Sequence, residues 1–389
     1  MLAARHSTLV NLERRCMYKW SAASAGRKEA SVMAIVSRRK FLTTVVGGVA
    51  GAALWRARSS FAPPSSGLPT IRPARPGEVA AFMRTSRALG TNVSLTIAHA
   101  DESTANAAVS AAFAELERVE HCLSVYRADS ELGRLNREQV LSSADERFLA
   151  VLSMSLAMSQ SSNGAFDVTV QPLWDLHART AKEGRTPTAT ELAAARARIG
   201  WRFVEIAGAD VRFTRPDMAI TFNGIGQGYA TDRVKQVLQE HGIQHALIDI
   251  GELSPIGQKS VGRAWQAGIQ HPRDADAYVA IAKLDGRSLA TSGDYATTFA
   301  IDGSAAGGGR GDHHIFDPAT GHSPTVLASV SVVAPTAMEA DALSTALMVA
   351  GPRRGRELIE ATEGVDALFV LKNGSVSQTP GFPVVNDVG

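Results

Sequence analysis

Two absences narrow the functions open to this 389-residue chain. It has only two cysteines, Cys16 and Cys122, which are too few for a disulfide framework and do not form the C-x₂-C pair of a zinc site. It also lacks a charge excess: the formal net charge is +2, and no run rich in lysine and arginine lies beyond the first 60 residues. Proteins that bind nucleic acid usually present such a run, so we expect no nucleic acid partner.

Long apolar runs are scarce near the N-terminus, and the one present there is typical of an export signal. Residues 37–42 hold two arginines followed by Phe-Leu, and the apolar stretch 43–55 that follows has about 13 residues, where a membrane span needs roughly 20. Small residues at 59–62 suit cleavage, and no cysteine follows to make a lipoprotein. We expect a periplasmic protein exported by the twin-arginine (Tat) machinery. A chance arginine pair and an uncleaved anchor are the alternatives.

The remaining composition is that of an ordinary globular protein, with 45% hydrophobic and 20% charged residues. We divide the chain into an N-terminal extension and signal peptide at 1–62, in which Met33 suits a start better than Met1, a linker at 63–80 rich in Pro, Gly and Ser, and one folded domain at 81–389.

Helical and strand patterns are interleaved along this domain without regular alternation. Such an order favours the α+β class over a doubly wound sheet. We expect two closely packed lobes with mixed or antiparallel sheets and flanking helices. Ser103 is the predicted N-cap of the first helix. The helices are predicted at 103–125, 145–159, 229–241, 337–350 and 352–362, and strands at 91–97, 245–250, 278–284, 327–333 and 366–371.

Asp341 and Thr345 are the first candidate functional pair. They are four residues apart in a helical pattern, so both side-chain oxygens lie on one helical face. Two hard oxygens suit Mg²⁺, which completes its shell with water and phosphate. The alternative is an ordinary polar helix face. A Pro/Gly turn at 313–321 adds His313, His314 and Asp317 in a loop of the kind that exposes side chains to a ligand.

Several small-residue turns strengthen the case for a ligand site. The glycine-rich segment 221–229 has the pattern of a strand end, a loop and a helix start, which frees backbone N–H groups for an anion such as phosphate. A plain tight turn is the alternative there. Tyr126 follows a helix end, where an aromatic side chain can stack on a planar ligand or simply anchor a surface. Two further turns, at 164–170 and 290–295, combine glycine, hydroxyl or aromatic side chains and an acid.

Seven motifs occur in an order that resembles the FAD:protein FMN transferase (ApbE-type) family, over about 85–372. They are Gly90-Thr91; Tyr126-x₃-Ser130-x-Leu132-x₂-Leu135-Asn136; Gly164-Ala165-Phe166-Asp167; Gly228-Tyr229-Ala230-x-Asp232; Ser292-Gly293-Asp294-Tyr295; His314-Ile315-x-Asp317-Pro318-x-Thr320-Gly321; and Ala340-Asp341-Ala342-x₂-Thr345. The resemblance implies that FAD and Mg²⁺ are bound and that FMN moves to a Ser or Thr hydroxyl of an acceptor protein, releasing AMP.

The resemblance also assigns roles to residues. It implies that Asp341, Thr345 and the carbonyl of Gly224 bind Mg²⁺ and that His314 is catalytic, although the adjacent His313 leaves open which histidine acts. A histidine that titrates near neutral pH suits the base that the acceptor hydroxyl needs. The residues expected to contact or line the FAD site are Gly90, Thr91, Tyr126, Ala165, Phe166, Asp167, Thr221, Gln227, Ser292 and Gly293.

The glycine loop departs from the family at two positions. Many members have Asp where this chain has Thr221 and Lys where it has Gln227. The change removes a cation that could stabilise phosphate charge, although an amide can still hydrogen-bond a ligand. This form of the loop resembles the NosX-type branch, which implies a NosR-like membrane protein as acceptor. A non-catalytic FAD carrier and a Mg²⁺-dependent FAD pyrophosphatase are the alternative functions.

Overall fold

The computed structural model describes residues 80–299 and 311–385, together with the backbone of two short strands, Val36–Ser37 (β1) and Thr70–Arg72 (β2). The predicted export signal and most of the predicted linker lie outside the described residues. Seven α-helices occur in the described part: Glu102–Leu123 (α1), Glu131–Glu138 (α2), Glu146–Ser161 (α3), Gln171–Lys182 (α4), Ala189–Arg196 (α5), Gly226–Glu240 (α6) and Ala337–Glu360 (α7). Two 3₁₀ turns, Val168–Val170 and Trp201–Phe203, are also present.

Thirteen further strands complete the described elements. They are Ala80–Ala88 (β3), Thr91–His99 (β4), Val140–Leu141 (β5), Val204–Ala207 (β6), Asp210–Phe213 (β7), Ala246–Asp249 (β8), Leu253–Ile256 (β9), Gln266–His271 (β10), Asp274–Lys283 (β11), Ser288–Gly293 (β12), Leu327–Ala334 (β13), Asp366–Leu371 (β14) and Val376–Gln378 (β15). The main sheet has the order β15-β14-β13-β12-β9-β8-β4-β3-β2, and two three-stranded sheets have the orders β1-β11-β10 and β5-β7-β6.

Every strand pairing in the described part is antiparallel, and the helices are not inserted as regular crossovers between strands. The α+β prediction is therefore confirmed. In the described part of the chain, no helix combines the length and apolar character that crossing a membrane requires.

The main sheet is covered on both faces at its centre. Strand β13 is buried at all eight positions. Val330 and Val332 belong to the large core that includes residues of α1, α6 and α7, whereas Val333 packs in a second core with Trp265 and Ile269 beside β10 and β11. A strand buried on both faces reads as a continuous apolar run rather than as alternation. This double burial makes β13 a fixed support for α7, which packs on it.

Helix ends follow capping chemistry that the sequence only partly revealed. The prediction of Ser103 as N-cap of α1 is wrong: the Asp101 carboxylate accepts hydrogen bonds from the backbone N–H groups of Ser103 and Thr104, each at 3.1 Å. Helix α7 is interrupted at Gly351, which has a φ of +75° and precedes Pro352. The two segments match the separate helices predicted at 337–350 and 352–362, because a proline suits the first turn of a helix.

Candidate active site

A cavity of about 380 Å³ opens where α6, α7, β12 and the β8–β9 turn meet the loop 311–325. Its lining includes every residue to which the family resemblance assigned a metal, FAD or catalytic role except Gly90 and Tyr126; His313 and Asp317 of the histidine loop do not line it either. Sequence positions separated by more than 200 residues are thus brought to one place. The members of this set are Thr91, Ala165, Phe166, Asp167, Thr221, Gly224, Gln227, Ser292, Gly293, His314, Asp341 and Thr345.

Helices α6 and α7 are hydrogen-bonded to each other at their N-terminal ends, and this junction positions Asp341 and Thr345. The Gly228 N–H donates to Asp341 Oδ2 at 2.9 Å. The Asp232 carboxylate accepts from the N–H groups of Ala337 and Met338, both at 2.8 Å, and so caps α7. A Cβ added at Gly228 would clash with the Ala337 carbonyl, so only glycine permits this close approach.

The oxygen donors predicted to hold a metal lie together. A Cβ added at Gly224 would be 2.9 Å from Thr345 Oγ1, so the Gly224 backbone lies directly against the Thr345 hydroxyl. Ser292 Oγ lies 2.7 Å from Ser344 Oγ and 3.3 Å from Thr345 Oγ1, which fixes this side of α7 against β12. One carboxylate with a hydroxyl and a carbonyl is a hard-oxygen set that fits Mg²⁺.

The electrostatic environment of Asp341 also favours a bound cation. Asp341 is 4% exposed, and burial is the main reason that its pKa is raised from 3.8 to about 7. A bound cation would favour the charged form of this carboxyl. Within the described ranges, no three His, Cys, Asp or Glu side chains are grouped so as to hold a metal ion. A magnesium site here would therefore depend on a single carboxylate, with water and phosphate completing the shell.

The glycine loop differs from its prediction in two ways. Residues 221–222 are not in a strand, and α6 begins at Gly226 rather than at Tyr229, with the Gly226 N–H donating to the Phe222 carbonyl at 2.7 Å. One N–H of this helix start is also already occupied, because Gly228 donates to Asp341. The loop thus orients a carboxylate in addition to any anion it receives.

The histidine loop presents one imidazole to the cavity. His314 lines the cavity, whereas His313 does not; His313 is 2% exposed, its backbone N–H donates to Ser323 Oγ at 2.8 Å, and burial lowers its pKa to about 4. Burial also lowers the pKa of His314, so its ring is neutral at pH 7. His314 Nδ1 lies 3.4 Å from the Thr297 carbonyl oxygen. Donation from Nδ1–H to that oxygen leaves Nε2 with a free lone pair.

Buried contacts hold this loop from the other side. His177 Nε2 lies 3.0 Å from the carbonyl oxygen of Gly321, and its ring packs 4.5 Å from that of Phe316. Asp312 Oδ2 lies 3.1 Å from His322 Nδ1 and 3.5 Å from His177 Nδ1. These side chains therefore anchor the loop at both ends, and His314 between them faces the cavity.

Three residues predicted to contact FAD, namely Asp167, Gly90 and Tyr126, have structural roles or positions that their motifs did not indicate. Asp167 lines the cavity, but its carboxylate accepts from Thr169 Oγ1 at 2.6 Å and from the Trp201 N–H at 3.2 Å, so it also fixes its own turn. Gly90 forms the β3–β4 turn beside Thr91. Tyr126 is 59% exposed and lies near Asn223, a lining residue, which places its ring at the rim.

Sequence reasoning missed two acids of the site, Asp249 and Glu252. Both line the cavity from the β8–β9 turn. Burial is the main reason that the pKa of Asp249 is raised to about 6 and that of Glu252 well above its usual range, and the nearby carboxylates raise the Glu252 value further. The available signal was two acids flanking Gly251 at the end of a predicted strand.

Known proteins similar to this chain share this fold and carry one activity in their names. A model of the ApbE family matches residues 89–369. The FAD:protein FMN transferase of Klebsiella pneumoniae is 30% identical over 318 residues, covering 79% of this chain and 89% of the relative, and that of Escherichia coli K12 is 30% identical over 276 residues, covering 68% and 77%.

Solved structures agree with these relatives. The Thermotoga maritima ApbE protein superposes with a TM-score of 0.69 at 27% identity, covering 77% of this chain and 97% of that one. The apo form of the Pseudomonas stutzeri flavinyl transferase ApbE gives 0.67 at 31% identity, covering 78% and 96%.

Proposed function

This chain belongs to the ApbE family, and we propose that its cavity carries out FMN transfer from FAD to an acceptor protein by the chemistry that follows. The transfer itself is the activity that the relatives' names share. The observation that carries the assignment is the convergence of Gly224, Asp341, Thr345 and His314 on one cavity, although they come from distant parts of the chain.

Gly224, Asp341 and Thr345 would hold Mg²⁺ in this proposal. When bound, the ion neutralises negative charge on a pyrophosphate and stabilises charge developing at the attacked phosphorus. The contribution of the chain is to hold the three oxygens in place, which the Gly228–Asp341 hydrogen bond and the Asp232 cap of α7 accomplish.

His314 acts as the general base. Its neutral Nε2 accepts the proton of an acceptor Ser or Thr hydroxyl, and the hydroxyl oxygen forms a bond to the phosphorus of the FMN half. The phosphoanhydride bond breaks at the same phosphorus, and its electron pair leaves with AMP. The Thr297 carbonyl keeps the other ring nitrogen protonated, which fixes the tautomer that this step requires.

Location and acceptor belong to the same proposal. The twin-arginine pattern at 37–42 supports export by the Tat machinery to the periplasm, where a membrane-attached acceptor of the NosR-like kind would be met. The form of the glycine loop, with Thr221 and Gln227, supports the NosX-type branch. Both residues line the cavity, so the departure lies within reach of the donor.

Incubation of the purified chain with FAD, Mg²⁺ and a NosR-like acceptor domain tests the function. The acceptor's intact mass and AMP release are followed together. A mass increase equal to covalently attached FMN with matching AMP is the expected result. FMN and AMP free in solution with an unmodified acceptor would instead indicate a pyrophosphatase. If FAD binds but neither product forms with any of several candidate acceptor domains, the chain is an FAD carrier.

A further inference from the structure

Glu252 lines the cavity but has no part in the chemistry above. Its side chain is 6% exposed. Oε2 of its carboxylate is buried without a hydrogen-bond partner. In the described ranges, no lysine or arginine forms an ion pair with it. Burying an acceptor without a hydrogen-bond partner lowers the stability of the folded protein, and in a ligand cavity a bound ligand can supply the missing donor.

The turn that carries Glu252 is held firmly against α6. Gly251 has a φ of +93°, and a Cβ there would lie 2.8 Å from Gln227 Oε1. The Ile250 N–H also donates to the Glu252 carbonyl at 3.1 Å. Glu252 is therefore a fixed part of the cavity wall rather than a mobile surface acid.

The surroundings of Glu252 are negative. Asp249 and Asp341 both act on it electrostatically, and burial together with these charges raises its pKa. A phosphate brought to this wall would meet like charges, and an apolar ring would leave Oε2 without a donor. The aromatic side chains of Phe166, Trp174 and Phe316 line the cavity as well and offer a surface for rings. The acidic wall is suited to a neutral O–H donor.

FAD carries neutral hydroxyls in two places, on the ribityl chain and on the adenosine ribose. A carboxylate that accepts from a ribose hydroxyl is a common device in dinucleotide sites. Building on the proposed function, we propose that Glu252 accepts a hydrogen bond from one of these hydroxyls and so fixes the sugar part of the donor in the cavity. Glu252 is then a positioning residue for the transferred or the departing half.

The test compares Glu252→Gln and Glu252→Ala with the unaltered chain in binding titrations without acceptor. Two ligand pairs report the hydroxyls: riboflavin against lumiflavin, which lacks the ribityl chain, and AMP against its 2′,3′-dideoxy form. We expect FAD affinity to fall roughly tenfold in Glu252→Ala, because the acceptor of the hydroxyl is lost, and to fall less in Glu252→Gln, whose amide oxygen can still accept. The preference for the hydroxylated member should fall similarly in one pair, which identifies the source of the hydroxyl.

Stability separates this role from a structural one. Glu252→Gln replaces a buried carboxyl, whose charged form is disfavoured beside two other carboxylates, by a neutral amide, so the Tm of the ligand-free variant should equal or exceed that of the unaltered chain. The matched control is Glu115→Gln, a buried acid outside the cavity that accepts from Arg147 and Arg233; its Tm should fall while both preferences stay unchanged.

Unchanged preferences in both ligand pairs would overturn the proposal, as would a Tm loss in Glu252→Gln that parallels the affinity loss. Weaker binding of Mg²⁺ alone with unchanged preferences would assign Glu252 to the cation instead and equally overturn it. Because binding is measured without an acceptor, a failure of FMN transfer would contradict the proposed function and leave this result intact.

Discussion

Replacement of Asp341 by Asn should make the metal-free protein more stable and the enzyme inactive. Burial raises the pKa of Asp341 from 3.8 to about 7, so the native state holds this proton more tightly than the unfolded chain. The stability that this group contributes is full below about pH 4 and is lost as the pH rises through about 7. At about 1.4 kcal/mol per pH unit, the loss approaches about 4 kcal/mol above pH 8.

Asparagine avoids that loss and keeps an oxygen for the Gly228 N–H, although the exchanged bond costs about 1–2 kcal/mol. We therefore expect metal-free Asp341→Asn to unfold with a free energy about 2 kcal/mol higher than the unaltered chain at pH 8. FMN transfer with Mg²⁺ present should be lost, since the only carboxylate of the donor set is gone.

Urea unfolding in EDTA at pH 4.5, 6 and 8, with transfer assays at pH 8, measures both effects. The advantage of the variant should shrink as the pH falls from 8 to 4.5, because at pH 4.5 the folded protein keeps the carboxyl of Asp341 protonated and only about 1 kcal/mol of its stabilisation is lost; this trend serves as an internal control. A variant that is less stable than the unaltered chain at pH 8 in EDTA, or that transfers FMN at the normal rate, would refute the reasoning.

Three further substitutions test separate parts of the site. His314→Ala should retain FAD binding and lose transfer by roughly 100-fold or more in an AMP-release assay; normal transfer would exclude His314 as the base. Gln227→Lys places a cation beside Gly251, between two buried acids, and should raise the Tm of the metal-free protein, while an unchanged transfer rate would mean that the amide is already adequate. Gly228→Ala should destabilise the chain by about 1–3 kcal/mol in urea, because its Cβ meets the Ala337 carbonyl; an unchanged midpoint would contradict the tight junction of the two helices.

Elements with strong local signals were predictable from the sequence. The strand at 366–371 has the predicted bounds, because a continuous apolar run lies between Gly364 and the Asn373-Gly374 turn. Helix α1 was found from its apolar spacing, but its first residue was misplaced because Asp101, Ser103 and Thr104 are all capable N-caps and only backbone geometry decides among them.

Elements that depend on distant partners were not predictable. Strand β12 contains Thr291, Ser292 and Gly293, which have the local composition of a turn, and it is a strand because it pairs along its whole length with β13. Strand β3 overlaps the end of the linker assigned at 63–80 and pairs residue by residue with β4. Tertiary hydrogen bonding overrides weak local preference in both.

Site residues that belong to a local sequence motif were predicted better than site residues that stand alone in the sequence. Asp341 and Thr345 share a helix face, so their proximity follows from local geometry. Glu252 is an isolated acid after a glycine, and its closeness to Asp341 is set by the packing of β9, β12 and α7. No spacing rule reports such a neighbour.

The strand β13, which is buried along its whole length, limits where the sequence of this protein can change. Its neighbours on both faces prevent the sheet from shifting, and α7, which bears Asp341, packs on it. Tyr126, by contrast, is 59% exposed at the rim of the cavity, so a substitution there meets few packing constraints. Substitutions at the rim are consequently tolerated more easily than substitutions in the sheet that supports α7.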